Sequence, residues 1–119
     1  MIPFRRLKAW GASHQLVLAI YTETRRRPPD ERFGLIAQAR RAAVSVTLNL
    51  AEGSARLGGR ELRRFADIGL GSLAELSALL QIAMDLGYVS PEDWQRLEES
   101  RDLAGKLIYG LARAVARSS

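Results

Sequence analysis

The sequence predicts an all-α protein with the architecture of an up-down-up-down antiparallel four-helix bundle. Three observations predict it: apolar residues recur at helical spacing in four segments, short loops with proline or glycine separate these segments, and no stretch shows the alternation typical of a strand. Short connections place consecutive helices side by side in opposite directions. A chain of 119 residues can build one hydrophobic core, so residues 1–119 are predicted to form a single domain.

The first two helices are predicted over residues 11–26 and 32–55. In the first helix, Leu16 and Ile20 belong to one apolar face, and the pair of prolines that follows its last arginines cannot continue a helix. The second helix ends before the turn at residues 57–59, because the two glycines of that turn break the helical pattern.

The last two helices are predicted over residues 60–86 and 91–117. Gly87 suits the turn that follows the third helix, because glycine adopts the left-handed conformation common after a helix end. Ser90 offers a hydroxyl as the N-cap of the fourth helix, and Pro91 takes the first helical position, where a missing N–H is not needed. This start is the clearest local signal in the chain.

The second helix is apolar on two opposite sides, whereas an outer helix of a monomeric bundle needs only one apolar stripe. The second apolar side predicts an oligomer; the alternative is a monomer in which helices two and three are the most buried pair. The predicted interface combines an outer apolar arc with a polar stripe: Ala37, Val44, Leu48 and Ala51, and Gln38, Ser45, Asn49 and Glu52. The polar stripe, which Arg41 joins, is either a hydrogen-bonded network that fixes the register of the helices or a ligand-contacting groove.

Basic residues concentrate in the first half of the chain. Residues 1–64 hold 13 Lys/Arg against 5 Asp/Glu, residues 65–119 hold 5 against 8, and 16 of the 18 basic residues are arginine. Guanidinium groups bind phosphate in a bidentate fork, which predicts nucleic-acid contacts; a GC-rich genome, in which arginine codons are favoured, is the alternative explanation. The candidate residues are Arg25, Arg26 and Arg27 after helix one, Arg40 and Arg41 on helix two, and Arg56, Arg60, Arg63 and Arg64 around the second loop. The two loops are expected at opposite ends of the bundle, and no aromatic residue is expected among the arginines as a base-stacking platform.

The sequence predicts no enzyme, no cofactor and no metal site. It has no cysteine and a single histidine, His14, so a catalytic relay and a di-metal site with Glu-x-x-His pairs both lack their residues. Gly58-Gly59 is not followed by the Lys-Ser/Thr of a phosphate-binding loop. The basic N-terminus has no apolar h-region and no apolar run reaches about 20 residues, which predicts a cytoplasmic protein without a membrane segment.

Three stretches of the sequence carry a resemblance to a known family. They are Phe4-Arg5-Arg6-Leu7-Lys8-Ala9-Trp10, the segment from Glu31 to Gly53 that includes Gln38-Ala39-Arg40-Arg41-Ala42-Ala43-Val44-Ser45-Val46, and Gly71-Ser72-Leu73-Ala74-Glu75-Leu76 before Leu86-Gly87-Tyr88. On these stretches the chain resembles the four-helix-bundle proteins related to the 23S rRNA-intervening sequence proteins. Members usually carry a proline shortly before the asparagine that matches Asn49; Val46-Thr47-Leu48 stand here instead, so helix two can continue without a proline kink.

The resemblance implies a bacterial four-helix protein that assembles as a homopentamer. The family is also similar in fold to accessory proteins of diversity-generating retroelements, which are basic pentamers that bind nucleic acid and a reverse transcriptase. The leading hypothesis is therefore a non-enzymatic, pentameric interaction protein that binds RNA or DNA through its arginines. The alternative is a structural oligomer or an adaptor for a protein partner, with no nucleic-acid binding.

Overall fold

The computed structural model describes residues 2–27 and 34–118, the last two of them by backbone alone. A short 3₁₀ turn, Phe4–Arg6, precedes four α-helices, and none of the described residues lies in a strand. The helices are α1 (Lys8–Arg25), α2 (Leu35–Ala55), α3 (Gly59–Asp85) and α4 (Pro91–Ser118). The described chain is therefore all-α.

The first two helices differ most from their predicted bounds. α1 begins at Lys8 rather than at Gly11, because the 3₁₀ turn leads into Leu7, whose buried side chain anchors the first helical turn. α2 begins directly after Gly34, which has a non-helical conformation. The predicted start at residue 32 lies outside the described residues. α3 and α4 begin and end within one residue of their predicted bounds.

The turn between α3 and α4 has the local structure that the sequence predicts. Gly87 has a φ of 80°, a conformation that residues with a Cβ atom rarely adopt. The Ser90 hydroxyl accepts a hydrogen bond of 3.1 Å from the backbone N–H of Asp93, which satisfies one of the free amides in the first turn of α4. Pro91 is the first residue of that helix. The predicted N-cap is thus confirmed.

All four helices contribute to one hydrophobic core. Leu16 of α1, Leu50 of α2, Leu76 of α3 and Ile108 of α4 have 0% exposed surface. Burying one such side chain stabilises a fold by about 1.5–3 kcal/mol. α1 contacts α2 and α4, and α3 contacts the same two helices, so the four helices surround this core.

Residues from several helices meet at two places in the molecule, whose longest extent is 46 Å. At one, the N–H of Ile2 donates to the carbonyl of Ser54 at 3.1 Å, and Ile2, Gly59 and Val115 line one shallow depression. At the other, one residue of each helix lines a small apolar cavity: Ile20, Ile36, Leu79 and Leu97. The turn between α2 and α3 therefore lies beside the N-terminal segment and the last part of α4.

α2 and α3 approach each other closely at Gly53. A Cβ atom added at this position would lie 2.7 Å from the Cβ atom of Phe65 and 3.2 Å from a methyl carbon of Leu62. The first distance is too short for two carbon atoms, so only glycine allows this approach. Gly71 of α3 is different, because a Cβ atom there would meet no other atom within 4 Å.

α3 is long and apolar enough to cross a membrane by length and composition, and among the described residues no other helix is. A core helix of a soluble protein passes the same test. Of the relevant window of α3, 39% is buried inside the chain, and the helix packs against both α2 and α4. These observations are consistent with a soluble protein.

Candidate nucleic-acid interface

At the end of the molecule where α1 ends, three arginines surround the buried carboxylate of Glu23. Glu23 is 2% exposed. It accepts hydrogen bonds from Arg26 at 2.6 Å, from Arg27, and from Arg96 of α4 at 3.5 Å. A buried carboxylate is costly unless it is paired, so these guanidinium groups compensate for the burial of Glu23.

Asp93 is a second carboxylate at this end, and it is half-buried. It accepts a hydrogen bond from Arg96 at 2.8 Å, and Arg26 lies 4.0 Å away. The hydrogen bond from Arg96 holds the pKa of Asp93 below its ordinary value of 3.8, and the Ser90 hydroxyl acts in the same direction. Arg26 and Arg96 are therefore shared between two acids.

The two candidate arginines of α2 also bind within the chain. Arg40 Nε donates to the Thr24 hydroxyl at 2.9 Å. Arg41 donates to both carboxylate oxygens of Glu75 on α3, each at 2.8 Å. Of the five candidate arginines at this end, only Arg25 is exposed with no ion pair among the described residues. Most of this predicted patch is thus used by the fold itself.

Two candidate arginines at the opposite end rest on one aromatic ring. The guanidinium groups of Arg56 and Arg64 lie 5.4 and 4.6 Å from the centroid of the Phe65 ring. Arg56 also donates to Glu52 at 2.8 Å, and Arg64 donates to Glu61 at 3.3 Å. Both arginines are held in place while their side chains stay largely exposed.

Contrary to one part of the expectation, an aromatic residue does lie among the arginines: Arg56, the first residue after α2, and Arg64 of α3 both lie on the ring of Phe65. Phe65 is only 6% exposed. Its ring therefore supports the two guanidinium groups and offers no face to a nucleic-acid base.

Arg60 and Arg63 are the candidate residues with the most available charge. Both are exposed, and neither has an ion pair among the described residues. Together with Arg64 and Asp67 they line an open depression at the start of α3. Two guanidinium groups without carboxylate partners are free to bind phosphate oxygens.

Three further arginines lie at this end, although the sequence did not single them out. The hydrogen bond from Ile2 to Ser54 holds the N-terminal turn against the end of α2, which brings Arg5 and Arg6 here. Arg113 lies near the end of α4. All three are exposed and have no ion pair within the described part of the chain. The only sequence signal was a basic N-terminal segment, whose position could not be predicted because it follows no helical pattern.

The described residues divide into two halves of different charge. The half that we name the basic end comprises residues 2–16, 46–74 and 101–116. The half that we name the balanced end comprises residues 17–27, 34–45 and 75–100. The basic end holds 10 Lys/Arg against 4 Asp/Glu, a net charge of +6, and the balanced end holds 6 against 7, a net charge of −1. The positive charge of the described residues is thus concentrated in the basic end.

Residues 5–110 match the family of 23S rRNA-intervening sequence proteins. The chain belongs to this family. The resemblance seen in the sequence is therefore confirmed, and the matched span contains seven of the eight termini of the α-helices, all but the end of α4. The description of the family names no enzymatic reaction. A search of curated proteins found no match.

In this member of the 23S rRNA-intervening sequence protein family, Arg41 and Ser45 of the polar stripe of α2 find partners on α3 of the same chain, and Asn49 bonds within α2. The hydroxyls of Ser45 and Ser72 are 3.0 Å apart, and Asn49 donates to the Ser45 carbonyl at 2.8 Å. Arg41 adds its ion pair with Glu75. The stripe therefore forms a hydrogen-bonded network across the α2–α3 junction. Gln38, also predicted in the stripe, is exposed.

The outer apolar arc of α2 is not covered by the chain itself. Leu48 is 62% exposed, Ala37 is exposed, and Val44 and Ala51 are half-buried. Ile82 of α3 is also exposed. These residues are accessible to another molecule, and the oligomer interface stays a prediction.

His14, the only histidine, lies against an aromatic neighbour. Its ring stacks on that of Trp10 with centroids 4.8 Å apart and planes 10° from parallel, and Trp10 also packs on Phe4. Within the described part of the chain, no group of three His, Cys, Asp or Glu could hold a metal ion.

Proposed function

We propose that this protein is a non-enzymatic protein of the bacterial cytoplasm that assembles with copies of itself and binds RNA or DNA through its basic end. One observation carries the proposal: Arg60 and Arg63 are exposed without an ion pair among the described residues, whereas nearly all candidate arginines of the balanced end bind acids or hydroxyls of the chain. Arginines that contact phosphates release condensed counterions, which supplies affinity without sequence specificity.

We infer an up-down-up-down order of the helices from the order of their contacts. Arg41 bonds with Glu75 and Ser45 bonds with Ser72, so a step forward along α2 is a step backward along α3. The contacts of α1 with α4 follow the same opposing order. This topology supports the proposal because it collects the arginines of the N-terminal turn, the α2–α3 turn and the end of α4 on one side.

Assembly would bring the basic ends of several copies together in one particle. The family resemblance implies a homopentamer, and the exposed outer arc around Leu48 supplies apolar surface that a neighbouring copy can cover. In a ring of identical copies all basic ends have equivalent positions. Several basic ends that bind one nucleic-acid strand raise the overall affinity, because the second contact becomes intramolecular.

The second candidate function is a structural oligomer or an adaptor for a protein partner. The exposed apolar side chains of Leu48 and Ile82 favour it, since they need a partner whether or not the arginines bind phosphate. Light scattering on the purified chain tests the assembly that both functions share. We expect a mass several times that of the protomer, and a smaller mass for the double variant Val44→Glu/Leu48→Glu. A wild-type monomer at micromolar concentration would refute assembly.

Fluorescence anisotropy at several salt concentrations separates the two functions. We expect wild-type protein to bind a labelled RNA or DNA, with a logarithmic affinity that falls linearly with the logarithm of the salt concentration. The double variant Arg60→Gln/Arg63→Gln should bind less tightly, with a slope shallower by about 1.4–1.8 per protomer that contacts the strand.

The matched control is Arg25→Gln, which removes an exposed arginine without an ion pair among the described residues from the balanced end. This variant should keep the wild-type affinity and slope. No binding at low salt would leave the adaptor as the better function. If both variants lost the same amount of affinity, the binding site would not be confined to the basic end.

A further inference from the structure

Leu57 is the most exposed of the large apolar side chains in the described part of the chain. It lies in the turn between α2 and α3 and is 84% exposed. The next residue, Gly58, has a φ of 91°, and a Cβ atom added there would meet no other atom within 4 Å. A leucine in such a position gains nothing from the fold of its own chain.

The surroundings of Leu57 are arginines. Arg56 precedes it directly and is fixed against Phe65, and Arg60 follows one helical turn later with no ion pair among the described residues. Ile2, which is also exposed, borders the same turn through the depression that it shares with Arg56. The basic end thus has an apolar tip within a positively charged rim.

A second turn of the chain also has an exposed leucine followed by a left-handed glycine, but it has no rim of arginines. Leu86 directly follows α3, is 58% exposed, and is followed by Gly87 with a φ of 80°. Its neighbour Asp85 is acidic, and no arginine lies within five residues of Leu86 in the sequence. An exposed leucine before a left-handed glycine is therefore not unusual in this fold; its placement among arginines is specific to the α2–α3 turn.

A ligand that binds both the arginine rim and Leu57 must offer phosphates to the arginines and an apolar surface to the leucine. Nucleic-acid bases offer such a surface on their faces, and apolar side chains are known to insert between base steps as wedges. A perfectly paired duplex hides these faces in its stack, whereas a bulge or mismatch lowers the cost of opening it. A lipid bilayer would also offer both features, but stable binding to it scales with buried apolar area, and this tip supplies two side chains.

We propose that Leu57 is a wedge that makes the basic end prefer nucleic acid with a bulge or another unstacked step over regular duplex. The proposal rests on the proposed function, because the arginine rim must first bind the phosphates. Arg56 and Arg64 are pre-positioned on Phe65, so the rim is formed before the strand arrives. The leucine then adds affinity only where the stack can open.

The test compares two labelled RNA duplexes of equal length, one perfectly paired and one with a single-nucleotide bulge, in the anisotropy assay at fixed salt. Wild-type protein should bind the bulged duplex about tenfold more tightly, the gain expected for burying most of one leucine side chain. Leu57→Ala should bring the two affinities within about twofold of each other and leave the perfect duplex unaffected. Leu86→Ala is the matched control and should keep the wild-type preference.

The outcomes separate the two proposals. If wild-type protein binds neither duplex at low salt, the proposed function and the wedge both fail. If it binds both equally, or if Leu57→Ala keeps the preference, the wedge fails while phosphate binding by the basic end stands. Vesicles with anionic lipid are the third probe: Leu57-dependent binding to them, with no preference between the duplexes, would overturn the wedge in favour of a bilayer.

Discussion

The two ends of this molecule use the same residue type in opposite ways. At the balanced end, the buried Glu23 forms ion pairs with Arg26, Arg27 and Arg96. At the basic end, Arg56 and Arg64 lie on the ring of Phe65, Arg60 and Arg63 have no ion pair among the described residues, and Arg101 pairs with Glu98. The number of arginines alone therefore does not identify a binding surface. A buried carboxylate within reach pairs with the arginines around it, and arginines without such a carboxylate stay available to a ligand.

The ends also differ in what holds the helices together. The balanced end relies on charged contacts that cross from α1 to α4 and from α2 to α3. The basic end relies on the close approach of two backbones at Gly53, where Phe65 packs against α2. Because the packing there needs no charge, the arginines of the basic end stay available to a ligand.

The largest expected effect tests the charged network of the balanced end. Glu23→Gln keeps the size of the side chain and removes the charge that three guanidinium groups share. We expect it to lower the free energy of unfolding by about 3 kcal/mol, since breaking a buried ion pair leaves uncompensated charge behind. Urea denaturation followed by circular dichroism measures this change, at one protomer concentration because assembly contributes to stability.

Glu52→Gln is the matched control at the basic end. Glu52 pairs with Arg56 at 2.8 Å, but both side chains are about half exposed, at 52% and 50%. Exposed pairs of this kind contribute little, so the free energy of unfolding should change by less than about 0.5 kcal/mol. Equal effects of the two substitutions would contradict the difference between the ends.

Much of the fold could be predicted from the sequence, because its signals are local. The N-cap of α4 at Ser90 and the glycine turn at Gly87 depend on residues that are neighbours in the chain. The start of α1 was predicted three residues late, at residue 11, because the buried side chain of Leu7, a tertiary contact, anchors the first turn of the helix.

The candidate site was less predictable, because its chemistry depends on contacts between distant segments. The burial of Glu23 and its pairing with Arg96 join residues of α1 and α4, and no sequence pattern marks them. The position of Arg5 depends on the hydrogen bond between Ile2 and Ser54. The nine candidate arginines looked alike in the sequence, and only the tertiary structure divides them into paired and available groups.

A smaller expected effect tests the packing of the basic end. Gly53→Ala places a Cβ atom 2.7 Å from that of Phe65, so α2 and α3 must move apart, and we expect a loss of about 2 kcal/mol in the free energy of unfolding. Gly71→Ala is the matched control: its Cβ atom meets nothing within 4 Å, and replacing a mid-helix glycine should raise the stability of the fold by about 0.5–1 kcal/mol.

The same pair of variants shows whether packing and binding are separate at the basic end. Urea denaturation gives the stabilities, and the salt dependence of RNA binding gives the number of phosphate contacts for the fraction that stays folded. Gly53→Ala should change the first and leave the slope of the second intact, because Arg60 and Arg63, which carry the proposed phosphate contacts, do not lie on the ring of Phe65. A Gly53→Ala protein as stable as Gly71→Ala would show that the two helices do not meet there. A shallower slope in a folded Gly53→Ala protein would show that the packing of α2 on α3 also positions the arginines.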